Sequence, residues 1–80
     1  MKLFCGIVLN KDDISITIID ENQMELLDET VPNEASCVIT ALVPHRRDLD
    51  SIVMEADKNP EWLMDALKAA GFTNVFSVPN

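Results

Sequence analysis

Acidic, basic and sulfur-containing side chains are the first candidates for chemistry in this sequence. Asp12-Asp13 could bind a metal ion, but the pair lies between two apolar runs and is interpreted as a solvated turn. His45-Arg46-Arg47 is a short basic cluster in which spacing suggests no partner for the histidine, so a surface loop is favoured over catalysis or phosphate binding. Neither Cys5 nor Cys37 has a plausible activating neighbour, and their spacing matches no zinc or redox motif.

The remaining polar and aromatic candidates also favour structural interpretations. Trp62 lies near a predicted helix start and is expected to pack against the sheet or to be half exposed, rather than to stack on a base. Asp20-Glu21 and Asp28-Glu29 are interpreted as solvated groups that protect the edge of a sheet. No glycine-rich phosphate loop is present in the sequence.

Composition limits the classes of function. The 80 residues suffice for one domain, and the 48% hydrophobic fraction is typical of a globular core. Because 14 acidic and 6 basic residues give a net charge of −8, we expect poor binding of nucleic acid by the chain alone. No apolar run approaches a membrane span, and the N-terminus lacks a signal-peptide cleavage pattern. We therefore expect a cytoplasmic protein with reduced thiols.

The apolar pattern predicts seven elements that could position these groups. Alternating or continuous apolar residues predict five strands, at 2–9, 14–20, 24–31, 51–55 and 74–78. Spacings of three and four residues predict two helices, whose apolar stripes are Ala35, Val38, Ile39 and Leu42, then Leu63, Ala66, Leu67 and Ala70. Asn33 is the predicted N-cap of the first helix, which Pro44 ends. Asn59-Pro60 begins the second helix and Gly71 ends it.

This order of elements predicts an α/β fold with a mixed five-stranded sheet. Tight turns make the first three strands an antiparallel meander, and the two helical crossovers add strands four and five in parallel. The simplest sheet order is 3-2-1-4-5, and right-handed crossovers place both helices on one face. The opposite face is expected to be uncovered and to carry Phe4, Val8, Ser15, Thr17, Ile19, Val53 and Glu55.

The topology βββαβαβ is that of the ribonuclease H-like core, and two segments carry a closer resemblance. GIVLNKDDISITIID resembles the opening of DEDD-type insertion-sequence transposases, whose RuvC-like nuclease domain begins with Gly-Ile-Asp-Val-Ser-Lys. IVMEADKNPEWLMDALKAAGFTNVFSVPN resembles that family's second signature, in which a glutamate ends the fourth strand. The resemblance covers nearly the whole chain and implies a single ribonuclease H-like domain, 1–80, that stops before the family's C-terminal catalytic region.

The departures from the family pattern imply a loss of catalysis. Val8 occupies the position of the first-strand aspartate, and Glu55 falls on the family's glutamate as a vestigial position. Asp57-Lys58 replaces the Thr-Gly that often follows this glutamate. Family nucleases hold two divalent ions such as Mg²⁺, which need several hard oxygen ligands. One carboxylate cannot hold two ions, so the chain is expected to be inactive alone and to bind no metal cofactor.

These observations favour a transposase-like N-terminal domain, either a fragment or a stand-alone remnant. Its uncovered sheet face is expected to associate with another chain, and a homodimer is the favoured arrangement. The alternative is a small protein-binding or regulatory module with the same core, which would add a strand at a sheet edge. A third interpretation is half of an actin-like ATPase domain, although residues 10–13 lack the glycines that such hairpins usually carry. No small-molecule substrate, membrane partner or nucleic-acid-binding residue is identified.

Overall fold

The computed structural model describes residues 1–56 and 59–79, with Pro79 described by its backbone alone. Within these residues the chain forms five strands and two α-helices: β1 (Leu3–Leu9), β2 (Asp13–Asp20), β3 (Glu25–Pro32), α1 (Ala35–Leu42), β4 (Leu49–Ala56), α2 (Glu61–Ala69) and β5 (Val75–Pro79). A short 3-10 turn, Val43–His45, follows α1. None of the helices in the described part of the chain is long and apolar enough to cross a membrane. The departure noted at Asp57-Lys58 lies outside the described residues.

The strands form one sheet in the order β3-β2-β1-β4-β5. β1 pairs antiparallel with β2, and β2 pairs antiparallel with β3. β1 also pairs with β4 in parallel, and β4 pairs with β5 in parallel. The predicted strand order and α/β class are therefore confirmed. β1 is central because its residues are apolar on both faces, whereas the acidic β3 lies at an edge.

The core lies between one face of the sheet and the two helices. Ile14, Ile16 and Ile18 alternate along β2 and are all fully buried, which fixes the face that β2 turns inwards. The same core contains further residues from β1, β3, β4, β5, both helices and the loop before β5: Leu3, Cys5, Ile7, Val31, Val38, Leu42, Ile52, Met54, Leu63, Leu67, Phe72 and Val75. Because α1 and α2 both contribute to this single cluster, they cover the same face, as the topology predicts.

The start of α1 differs from the prediction. Glu34 is the N-cap, without a side-chain hydrogen bond to the helix. Asn33 instead donates from Nδ2 to the backbone oxygens of Asn10, at 3.0 Å, and Lys11, at 3.4 Å. The predicted capping role of Asn33 is therefore wrong: the helix begins one residue later, at the N-cap Glu34, and the Asn33 amide donates to the carbonyls of the β1–β2 turn. This contact joins the β1–β2 turn to the loop before α1.

The C-terminal end of α2 follows the sequence signal, whereas its start is displaced by one residue, because Pro60 and not Asn59 is the N-cap. Asn59 accepts a hydrogen bond from the backbone N–H of Glu61 through Oδ1, at 3.0 Å, beside Pro60. At the other end Gly71 has φ +98°, a conformation that glycine adopts without a Cβ clash. The Arg46 guanidinium donates to the Ala70 carbonyl oxygen and satisfies an acceptor that the helix end leaves free.

Candidate functional site

The face opposite the helices is formed by alternate residues of the strands. We call it the open face because no helix among the described residues covers it. Its positions follow from the registers and from the burial of their neighbours: Phe4, Gly6, Val8, Ser15, Thr17, Ile19, Asp28, Thr30, Ser51, Val53, Glu55, Phe76 and Val78. All seven positions expected from the sequence lie on it. The sequence prediction did not include Gly6, Asp28, Thr30, Ser51, Phe76 and Val78, although the alternation of the final strand contains the signal for the last two.

Val8 and Glu55 are direct neighbours on the open face. They are paired in the parallel register of β1 and β4, one residue before each strand ends. Val8 is partly buried and Glu55 is exposed. The spatial relation that the sequence predicts between the two residues is thus present in the structure. Their assignment as the family's metal-ligand positions stays a prediction.

The ligand chemistry at this point of the sheet is limited. Val8 offers only methyl groups, and the neighbours of Glu55 across β5 and along β4 are Val78 and Val53. Among residues 1–56 and 59–79, no group of three or more His, Cys, Asp or Glu side chains could hold a metal ion. A two-ion hydrolytic site needs several carboxylates converging on ions about 4 Å apart. The described side chains around Glu55 do not fit that requirement.

Gly6 forms a depression in the middle of the open face. Its neighbours across the sheet are Thr17 on β2 and Val53 on β4. A Cβ placed on Gly6 would have no heavy atom within 4 Å apart from its chain neighbours, so the space above the backbone is open. The exposed apolar side chains Val53, Phe76 and Val78 lie to one side of this depression, with exposed fractions of 38%, 54% and 40%.

Two other candidates from the sequence, Asp13 and Arg46, make contacts that stabilise the fold. Asp13 accepts a hydrogen bond from Asn10 Nδ2 at 2.8 Å, which stabilises the β1–β2 turn. Arg46 packs over the Phe72 ring at 5.0 Å from its centroid, in addition to its bond with Ala70. The basic cluster that the sequence shows is therefore partly used to hold the chain after α2. His45 lies in the 3-10 turn and is partly buried.

The two cysteines are not in activating surroundings. Burial raises the pKa of the Cys5 thiol to about 12. Desolvation raises the pKa of Cys37, and the hydrogen bond of its Sγ to Glu34 Oε2, at 3.5 Å, acts in the same direction together with the negative charge of that carboxylate. Because the thiolate is the nucleophile, both thiols are less reactive than a free cysteine at neutral pH. The structure describes both as free cysteines.

A cavity of about 430 Å³ lies at the carboxyl ends of β1 and β4. It is lined by Leu9, Asn10, Lys11, Asn33, Ala56, Asn59 and Trp62. Trp62 is 45% exposed here, in agreement with the half-exposed placement expected from the sequence. The amides of Asn10, Asn33 and Asn59 make hydrogen bonds to the chain itself, which fix the turns around the cavity. These three amides therefore serve the local structure around the cavity, and Lys11 is the charged residue of its described lining.

Comparison with known proteins supports the fold. No family model matches the sequence, and no curated protein matches it. Among solved structures, a Bacteroides thetaiotaomicron protein described as having an actin-like ATPase fold and unknown function is similar, with a TM-score of 0.65 and 19% sequence identity. The match covers 96% of this chain and 32% of that protein, so the chain spans about a third of its neighbour's length. At this identity the likeness shows a common fold alone.

Proposed function

We propose that this chain is a catalytically inactive, transposase-like ribonuclease H-like domain that binds another polypeptide through its open face. The observation that supports this proposal most directly is the exposure of Val53, Phe76 and Val78 beside the Gly6 depression. Exposed apolar residues that are contiguous on a small domain are typical of interaction sites. On the opposite face of the same sheet, α1 and α2 cover the apolar side chains, and this burial stabilises the fold.

The absence of catalysis is proposed from the residues at the strand ends. In the resembling transposases the first-strand aspartate supplies a shared metal ligand, and this chain has Val8 at that position beside Glu55. The experiment compares Mg²⁺-dependent cleavage of DNA by the natural chain and by Val8→Asp. We expect no cleavage by either chain, since two carboxylates still provide too few ligands for two ions. Magnesium-dependent cleavage by the natural chain would refute the proposal that it is inactive.

Binding through the open face is tested first with the occupant that the sequence predicts, a second copy. Sedimentation velocity at increasing protein concentration measures self-association of the natural chain and of Gly6→Gln. The added side chain occupies the depression, and its Cβ has no heavy atom within 4 Å apart from its chain neighbours. Ser36→Gln, on the exposed side of α1, is the matched control. A dimer that Gly6→Gln abolishes and Ser36→Gln retains supports the open face as the interface.

A further inference from the structure

Glu55 gives the open face a charge that any occupant must accommodate. The carboxylate lies among Val8, Val53 and Val78, which are its neighbours across and along the sheet. A partner that covers the apolar side chains therefore also covers the carboxylate. Removing a carboxylate from water is unfavourable unless a cation or several hydrogen-bond donors replace the water. The occupant must supply such a group at the centre of its own apolar surface.

A second copy of this chain does not meet that requirement with the same face. None of the five strands contains a lysine or an arginine. A symmetric dimer presents the same surface from both partners, so it would bring two Glu55 carboxylates into one apolar interface. The net charge of −8 adds a long-range repulsion between two copies. Charge complementarity thus favours a basic partner over self-association.

We infer that the open face binds an amphipathic helix of another protein, whose apolar side carries one lysine or arginine that pairs with Glu55. This inference rests on the proposed protein-binding function and specifies its partner. A helix suits the surface because two helices already cover the other face of this sheet. The Gly6 depression admits a large apolar side chain of that helix, and Val53 and Phe76 contact the residues one turn away.

The experiment uses two designed helical peptides of identical composition, built from leucine, alanine and lysine. One peptide has a lysine in the middle of its leucine side, and in the other this lysine is exchanged with an alanine of the polar side. Both carry the same net charge, so general attraction to an acidic protein affects them equally. Fluorescence anisotropy measures their binding to the natural chain, to Glu55→Gln and to Glu29→Gln. Glu29 is an exposed β3 residue paired with Ile16, and it therefore points away from the open face.

The natural chain should bind the peptide with the central lysine at least about tenfold more tightly than its isomer, as a charge-assisted hydrogen bond predicts. Glu55→Gln should remove this preference, and Glu29→Gln should retain it. Binding without any preference between the isomers would overturn the pairing with Glu55. Self-association that Gly6→Gln abolishes and Glu55→Gln strengthens would leave the protein-binding function standing but overturn the basic helix as its occupant. If the chain neither self-associates nor binds either peptide, both proposals are wrong.

Discussion

Replacing either of the two glycines of this chain by alanine should change its stability, but in opposite directions. Gly6 lies in the interior of a strand, has no positive φ, and has open space where a Cβ would be added. Gly71 has φ +98°, and a Cβ there would lie 3.3 Å from Nη2 of Arg46. Alanine at position 6 should therefore stabilise the protein, whereas alanine at position 71 should destabilise it.

The magnitudes follow from the backbone. Replacing a strand glycine by alanine reduces the entropy of the unfolded chain, so Gly6→Ala should raise the free energy of unfolding by about 0.4–1 kcal/mol. A Cβ in the left-handed region costs about 1–2 kcal/mol, and displacement of Arg46 weakens its bond to Ala70, worth about 1 kcal/mol. Since about 1 kcal/mol shifts the melting temperature of a domain this size by roughly 4–8 °C, the two variants should melt on opposite sides of the natural chain.

Thermal unfolding followed by circular dichroism measures both shifts, at two protein concentrations because self-association would add stability that depends on concentration. The reasoning about the open face is refuted if Gly6→Ala lowers the melting temperature at low concentration. That result would mean that something occupies the space above Gly6 within the single chain. An unchanged melting temperature for Gly71→Ala would instead refute the role of its backbone conformation at the end of α2.

Three further predictions concern the core and the helix start. Cys5 has its pKa raised by burial from about 9 to about 12, so the stability it confers as a protonated thiol should be complete below pH 9 and decline between pH 9 and 12; the difference in unfolding free energy between the natural chain and Cys5→Ala should therefore be constant below pH 9 and shift against the natural chain only in that range. Met54→Ala should cost about 2–5 kcal/mol in urea unfolding because Met54 is fully buried, whereas Met24→Ala, at an exposed position, should change stability little. Asn59→Ala should cost about 1 kcal/mol by loss of its hydrogen bond to α2.

The elements with a strong apolar period could be predicted from the sequence. Ile14, Ile16 and Ile18 specify the inward face of β2, and the change of period after Asn33 marks the first helix. The strand order then follows from turn lengths and crossover handedness. Glu55 could be placed beside Val8 because the predicted parallel pairing of the first and fourth strands aligns their C-terminal ends.

The features that the sequence did not predict depend on contacts between distant segments. Asn33 bonds to carbonyls that precede it by more than twenty residues, and local capping rules contain no information about them. β4 begins at Leu49, inside a charged stretch, because Leu3 pairs with it at the start of both strands. The depression at Gly6 could not be predicted, because the sequence does not show that the side chains of the neighbouring strands leave this space open.

The double pairing of β1 also has a consequence for the order of folding. On one side β1 joins β2 through a short turn, while on the other side Val8 must meet Glu55 after the intervening β2, β3 and α1. Loop-closure entropy makes the first pairing fast and the second slow, so the meander should form before the parallel half docks. Substitutions at Met54 should consequently slow refolding less than they accelerate unfolding if β4 docks after the rate-limiting barrier. Stopped-flow kinetics of Met54→Ala and Ile16→Val would reveal this order, since Ile16 belongs to the early pairing and should affect the refolding rate more strongly.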